Sequence, residues 1–333
     1  LNNAGTLTVK DTLTLKTATT NGGNVTAKNL TLTGENAFAA VNVAGTVSGA
    51  ASIKVGGTSV IGTLSGVNKL NLADGTLKLD AATGLNETTL SGALTAGGGV
   101  GLGSVAMNHG SSIQSTGEVS ASGITVTGTA DILAGTKLQT ATVGGTGTLK
   151  VASGSTVGGS NLSVADNATL ELLEGSTLAN TGALSVAGKV IAGNGINLGT
   201  ANVSGTLQTS GGVGATALTL SGGTLTSTGT LTVDNNLTVN GAASVENVVI
   251  GGNLAMGAAS GALTATGTLD AGTITLGRVS AAECYITANA LGTTATDFVV
   301  DEAYITSQGF WVGTVITLAD LATDFAGSVT ING

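Results

Sequence analysis

The chain contains no proline, one cysteine, one histidine and seven aromatic residues among 333 positions. Each shortage excludes something. A proline removes a ladder donor, so its absence fits a chain whose segments are nearly all laddered. A single cysteine, Cys284, rules out an intrachain disulfide framework. A single histidine, His109, has no second His and no nearby Cys with which to share a zinc. Charged residues make up 9% of the chain, against roughly 25% in an ordinary domain. The net charge of −9 makes nucleic acid an unfavourable partner. No apolar run approaches the roughly 18 residues of a membrane-spanning helix. The start at Leu1, with no basic-then-apolar leader, reads as a mature or trimmed product.

What is abundant is glycine, at 55 residues, and small apolar residues. Glycine-rich chains poor in charge are often disordered, but 41% apolar residues and a mean hydropathy of +0.42 give this one material to bury. The stretch 229–254 is representative. In Thr230-Leu231-Thr232-Val233 the apolar residues stand two apart, the period of a strand. Asp234-Asn235 interrupts, Leu237-Thr238-Val239 repeats the pattern, and Asn240-Gly241 interrupts again. A further strand is expected over 245–250, ended by Gly251-Gly252. Leu231, Val233, Leu237 and Val239 are expected inward, with Thr230, Thr232 and Thr238 outward.

Such units recur. Gly-Thr-Leu begins at residues 5, 62, 75, 147, 205, 223, 229 and 267, and Gly-Ala-Leu at 92, 182 and 261. The spacings cluster near multiples of roughly 20 residues, the period of a solenoid. One coil of short strands cannot seal its inner face; stacking coils about 4.8 Å apart does. A narrow interior takes Leu, Val, Ile and Ala and mostly refuses aromatic rings. The expected fold is all-β: a right-handed parallel β-solenoid over residues 1–278, of roughly 14 coils and about 65 Å. A β-sandwich array is the rival reading, although sandwiches usually carry larger core side chains and some loop proline.

Composition changes near residue 279. Six of the seven aromatics (Tyr285, Phe298, Tyr304, Phe310, Trp311 and Phe325) lie in the last 49 residues; Phe38 is the exception. From Val279 onward there are six acids and no base. Residues 279–333 are therefore expected to form a distinct cap or docking element, because an open ladder end invites aggregation.

The Gly-Thr-Leu-Thr-Val and Asn-Leu-Thr-Val strands, with Gly-Gly, Asn-Gly and Asp-Asn turns, resemble the secreted parallel β-helices of bacterial surface proteins. Those are autotransporter passengers and filamentous-haemagglutinin-like adhesins. The likeness is compositional and covers about residues 1–278. It implies an extracellular or cell-surface location and a role in adhesion, assembly or display. The chain departs from that pattern in showing neither a C-terminal membrane barrel nor a recognisable secretion domain.

Candidate chemistry is sparse. His109, in Met107-Asn108-His109-Gly110, reads as a turn residue, and Cys284 as a small buried hydrophobe. Gly97 to Gly103 is glycine-rich but matches neither a dinucleotide fingerprint nor a P-loop, and reads as a corner. Asn-x-Ser/Thr occurs at Asn24, Asn29, Asn86, Asn161, Asn167, Asn202 and Asn236, mostly as expected by chance in a Ser/Thr-rich chain. Asp297, Asp301, Glu302, Asp320 and Asp324 read as a solvated acidic face, with no calcium-loop spacing. No catalytic, cofactor-binding or metal-binding residue is assigned, no cofactor is expected, and the chain is not expected to be an enzyme. A sugar-cleaving β-helix would want basic and aromatic residues or a carboxylate pair along a groove.

Three functions remain. The first is an extracellular filament, sheath or layer subunit, assembled head to tail. The second is a monomeric adhesin passenger that meets a host surface or glycan. The third is an ice-binding solenoid, suggested by recurrent Thr-x-Thr, although no such pair falls between residues 34 and 124. Head-to-tail assembly has a charge argument. Residues 1–34 carry Lys10, Lys16 and Lys28 against Asp11 alone, opposite the acidic C-terminal element. The expected interface comprises those lysines together with Tyr285, Asp297, Asp301, Glu302, Phe310, Trp311, Asp320 and Asp324.

Overall fold

A computed structural model describes residues 4–16, 19–49, 52–256, 262–276, 284–291, 297–300, 314–320 and 329–331. Side chains are described over 4–16, 22–49 and 52–255 and at Leu263. The described residues contain strands and turns and no helix. Strands pair in parallel, coil on coil, as a β-solenoid. The chain divides into two compact units: residues 1–159 with 167–170, and residues 160–166 with 171–333.

In the first unit a coil has two strands over residues 52–83 and three from Glu87 onward, and paired residues stand 16 to 19 positions apart. On the first face, Ser52–Val55, Lys69–Leu72, Glu87–Leu90, Ser104–Met107 and Gly123–Val126 lie side by side. Their register places Ile53, Leu70, Thr88, Val105 and Ile124 in one inward column. All five are sealed from water. Thr88 is the polar member, and its Oγ1 donates to the Leu102 carbonyl at 2.7 Å. That bond removes most of the cost of burying a hydroxyl.

The second unit repeats the plan. Leu184, Ala201, Leu218 and Leu237 form one inward column, 17 to 19 residues apart. Ile196, Val213, Leu231 and Val248 form another. As expected, Leu231, Val233, Leu237 and Val239 are buried, while Thr232 is exposed and Thr230 and Thr238 are half-buried. Strand alternation alone dictates this.

One expectation is corrected. Residue 246 is a bend, and the strand preceding it is Ala242–Val245. The next strand, Asn247–Met256, runs through Gly251-Gly252 with only a register shift between Ile250 and Asn253. The glycines turn a corner without losing the ladder: Gly252 N–H still donates to Asn235 O at 2.8 Å.

Corners follow two rules. In Asn108–Ser111 and Ala152–Ser155 the fourth N–H returns to the first carbonyl, at 3.0 and 3.1 Å, and the third residue is a glycine with φ of 78° and 75°. A side chain there would be strained. Elsewhere, an Asn, Asp or His side chain of one coil accepts a backbone N–H from the next. Asn29 Oδ1 accepts from Thr46, Asn194 Oδ1 from Gly212, Asn236 Oδ1 from Asn253 and His109 Nδ1 from Thr129, at 2.9 to 3.2 Å. These bonds satisfy donors that a bent ladder would otherwise strand.

The parallel backbone ladder continues beyond residue 262 in wider steps. Ala262 pairs with Tyr285, and Cys284 with Thr314. The side chains of residues 279–333 lie outside the described set, as does their expected packing into one element.

Candidate functional site

Two places in the first unit depart from a plain ladder. The first is the strand Thr6–Leu15. It pairs with Thr19–Leu32 on one edge and has no register partner on the other among the described residues. Its inward residues are incompletely covered: Leu7, Val9 and Leu13 are half-buried, whereas their partners Val25, Ala27 and Leu30 are buried. Lys10 and Lys28 are exposed on these adjacent strands, and Lys16 is exposed just past Leu15. Lys10 and Lys16 thus lie on or just past the outer strand, and Lys28 on the strand beside it. Of the other expected interface residues, Tyr285, Asp297 and Asp320 lie on described strands, paired with Ala262 and Val315, Thr273, and Ala290 respectively. Asp301, Glu302, Phe310, Trp311 and Asp324 lie outside the described residues.

The second place is a groove on the first face. Its more polar part has a volume of about 440 Å³ and is lined by Glu35, Ser52, Lys54, Lys69, Asn71 and Glu87, among others. A contiguous lobe of about 640 Å³ shares Ala37 and Lys54 and runs over Gly56, Gly57, Ala73 and Gly75. Strand register builds this groove. Ser52, Lys69 and Glu87 stand in one outward column, and Ala37, Lys54, Asn71 and Thr89 in the next. Small residues at Ala37 and Ser52 leave a hollow between longer ones. Lys69 Nζ donates to Glu87 Oε2 at 2.7 Å. That hydrogen bond and the Glu87 charge, with a contribution from Glu35, hold the Lys69 ammonium above lysine's ordinary range. Asp74 Oδ1 accepts from Gly57 N–H at 2.8 Å.

The groove offers donors, acceptors and both signs of charge. Sequence reasoning missed it, although a signal existed: Lys54, Lys69, Asp74, Lys78, Asp80 and Glu87 crowd into one stretch of a charge-poor chain.

The other candidates fall as follows. His109 is an exposed turn residue, as read, with its Nδ1 occupied as a corner cap. Gly97 to Gly103 encloses a short strand at Val100–Gly101, and Val100 and Leu102 are buried. Cys284 begins a strand, and its side chain is outside the described set. Asn29, Asn161 and Asn236 spend their side-chain oxygens on corner N–H groups. Threonines stack outward in mixed ranks: Thr14, Thr31, Ser48, Ser65 and Thr83 succeed one another from coil to coil. Counting Thr-x-Thr misses this rank, because serine replaces threonine in it. Among the described residues no cluster of three or more His, Cys, Asp or Glu is gathered as a metal set. No described helix is long and apolar enough to cross a membrane.

No family model, curated protein or solved structure matches the chain.

Proposed function

We propose that the chain is an extracellular structural protein, a β-solenoid subunit joined head to tail in a cell-surface filament, sheath or layer. The observation that supports this reading is the strand Thr6–Leu15, whose Leu7, Val9 and Leu13 are half-covered and which has no register partner on its outer edge among the described residues. A free strand edge is a template for another strand. A second copy is the natural occupant, because the strands of every coil share the edge's spacing and alternation. Such a contact joins unlike surfaces, so it propagates as an open filament unless the rotation closes a ring. Exposed Lys10, Lys16 and Lys28 would steer the acidic residues of 279–333 toward that edge and repel a like end.

The test is sedimentation and negative-stain microscopy across rising concentration. Filaments are expected from the wild-type chain, with partial weakening by salt, because backbone pairing and apolar contact survive screening. Changing Lys10, Lys16 and Lys28 together to Glu is expected to slow assembly. An unchanged rate in that variant removes the steering argument. A wild-type chain that stays monomeric at high concentration overturns the assembly and favours the displayed adhesin.

A further inference from the structure

The groove on the first face has a property that assembly does not use. Three lysines stand at its rim or one coil away: Lys54, Lys69 and Lys78. Lys69 is paired with Glu87 and Lys78 with Asp80, at 2.7 and 2.9 Å. Lys54 is exposed, lies in both lobes of the groove, and has no ion pair or hydrogen bond among the described residues. Of the nearby carboxylates, Glu87 holds Lys69 and Asp74 holds the Gly57 N–H, while Glu35 lines the groove without an ion pair to Lys54 among the described residues. The cation in the middle of the groove is therefore the one left without a partner.

The floor decides the class of ligand. Its accessible side chains are at Ala and Ser positions with Asn71 and Thr89 beside them; Phe38, Ile53 and Leu70 also border it, but they are 4%, 0% and 1% exposed and belong to the core. An apolar ligand would find little to bury against. A polyhydroxylated ligand would find the amide of Asn71, the hydroxyls of Ser52 and Thr89, and the carboxylate of Glu35 as acceptors and donors. The volume of about 440 Å³ falls within the roughly 300–1,000 Å³ of small-molecule sites. The charges of the polar part, Glu35, Lys54, Lys69 and Glu87, sum to zero, and Asp74 on the adjoining lobe makes the whole groove −1. A dense polyanion would meet three carboxylates and is disfavoured. A sugar chain with one carboxylate per residue can place a single acid on Lys54 and its hydroxyls on the rest.

We propose that this groove binds an acidic oligosaccharide of the uronic-acid type, with its carboxylate on Lys54 and its hydroxyls on Ser52, Asn71 and Glu35. The site does not depend on head-to-tail assembly and would be present in a single copy. A lone charged contact on an open face gives weak binding, in the millimolar range. Repetition along an assembly would raise the avidity.

The experiment is a heteronuclear NMR titration of the full chain with trigalacturonate, beside its methyl-esterified trimer. Saturable shifts are expected at residues 35–89 with the acid. The ester is expected to bind about tenfold more weakly, because the charged hydrogen bond is lost. Lys54→Ala is expected to weaken the acid by about the same factor and leave the ester unchanged. Lys137→Ala, at an exposed position on the strand Lys137–Thr140 outside the groove, is the control and is expected to change neither. The Lys54 side chain is exposed, so the variant is expected to keep the wild-type spectrum elsewhere. No saturable shift at residues 35–89, equal binding of acid and ester, or equal weakening by Lys54→Ala and Lys137→Ala would each overturn the proposal.

Discussion

The first face of the first unit and the corresponding face of the second are built on the same backbone and carry different chemistry. Inward, the columns agree: Ile53, Leu70 and Val105 in one, Leu184, Leu218 and Leu237 in the other, all sealed. Outward they diverge. Lys54, Lys69 and Glu87 stand on one; Ser185, Asn202, Thr219 and Thr238 stand on the other. The second unit shows that this ladder needs no outward charge. The charges of the first face are therefore free to serve a ligand rather than the fold, and this gives the Lys54 groove its interest.

The sharpest way to break the comparison is to attack the inward columns. Leu70→Asp and Leu218→Asp each place an unpaired carboxylate at a position that is 1% or 0% exposed. Each is expected to cost several kcal/mol, because a buried charge without a partner is among the most damaging changes. Urea denaturation followed by circular dichroism measures both. If one variant is near neutral, the two columns are not equivalent and the shared plan is wrong.

Corners come next in size. A Cβ on Gly182 would strike Ser160 O and Asn161 Oδ1, the oxygen that accepts the Ala183 N–H. Gly182→Ala is expected to destabilise by about 1–3 kcal/mol, as overpacking does. Asn161→Ala is expected to cost about 1 kcal/mol, the worth of one hydrogen bond. Combining them should cost less than the sum, since the alanine at 161 removes one of the atoms in the way. A strictly additive double variant would mean that Ser160 O alone sets the clash.

The inward columns differ at one point, Thr88, and this gives a smaller test. Thr88→Val keeps the shape and removes the donor to Leu102 O. A loss of about 1 kcal/mol is expected, against no loss for a Thr219→Val change at the half-buried outward position. Equal effects would mean that the buried bond contributes nothing net.

These contrasts also mark what the sequence made legible. Leu231-Thr232-Val233 announces its inward face because a strand's period is two and one face is sealed. The coil length was legible from Gly-Thr-Leu spacing to within a few residues. Gly251-Gly252 misled, because two glycines look like a stop when their role is to let the strand bend beneath the Asn235 carbonyl. The groove was legible only as a run of charges from Lys54 to Glu87 in a charge-poor chain. That Glu35, Lys54, Lys69 and Glu87 become neighbours follows from register, which no local pattern encodes. The same is true of the hydroxyl rank from Thr14 to Thr83.

The smallest expected effect concerns the ion pair on the groove rim. Glu87 raises the Lys69 pKa in the folded chain above its value of 10.5 in an unstructured one. A base whose pKa is raised by folding stabilises the fold while it is protonated in both states. That contribution is fully present below 10.5 and disappears as pH rises through the raised value. Both side chains are more than half exposed, so solvent screens the pair and its worth is small. Thermal melts of the wild type and Lys69→Met should therefore differ slightly at neutral pH and low salt. The difference should shrink on adding salt, and it should close at a pH well above 10.5. A difference that grows with pH would have the wrong sign for an ion pair, and would mean that the lysine stem, not its charge, is what the first face uses.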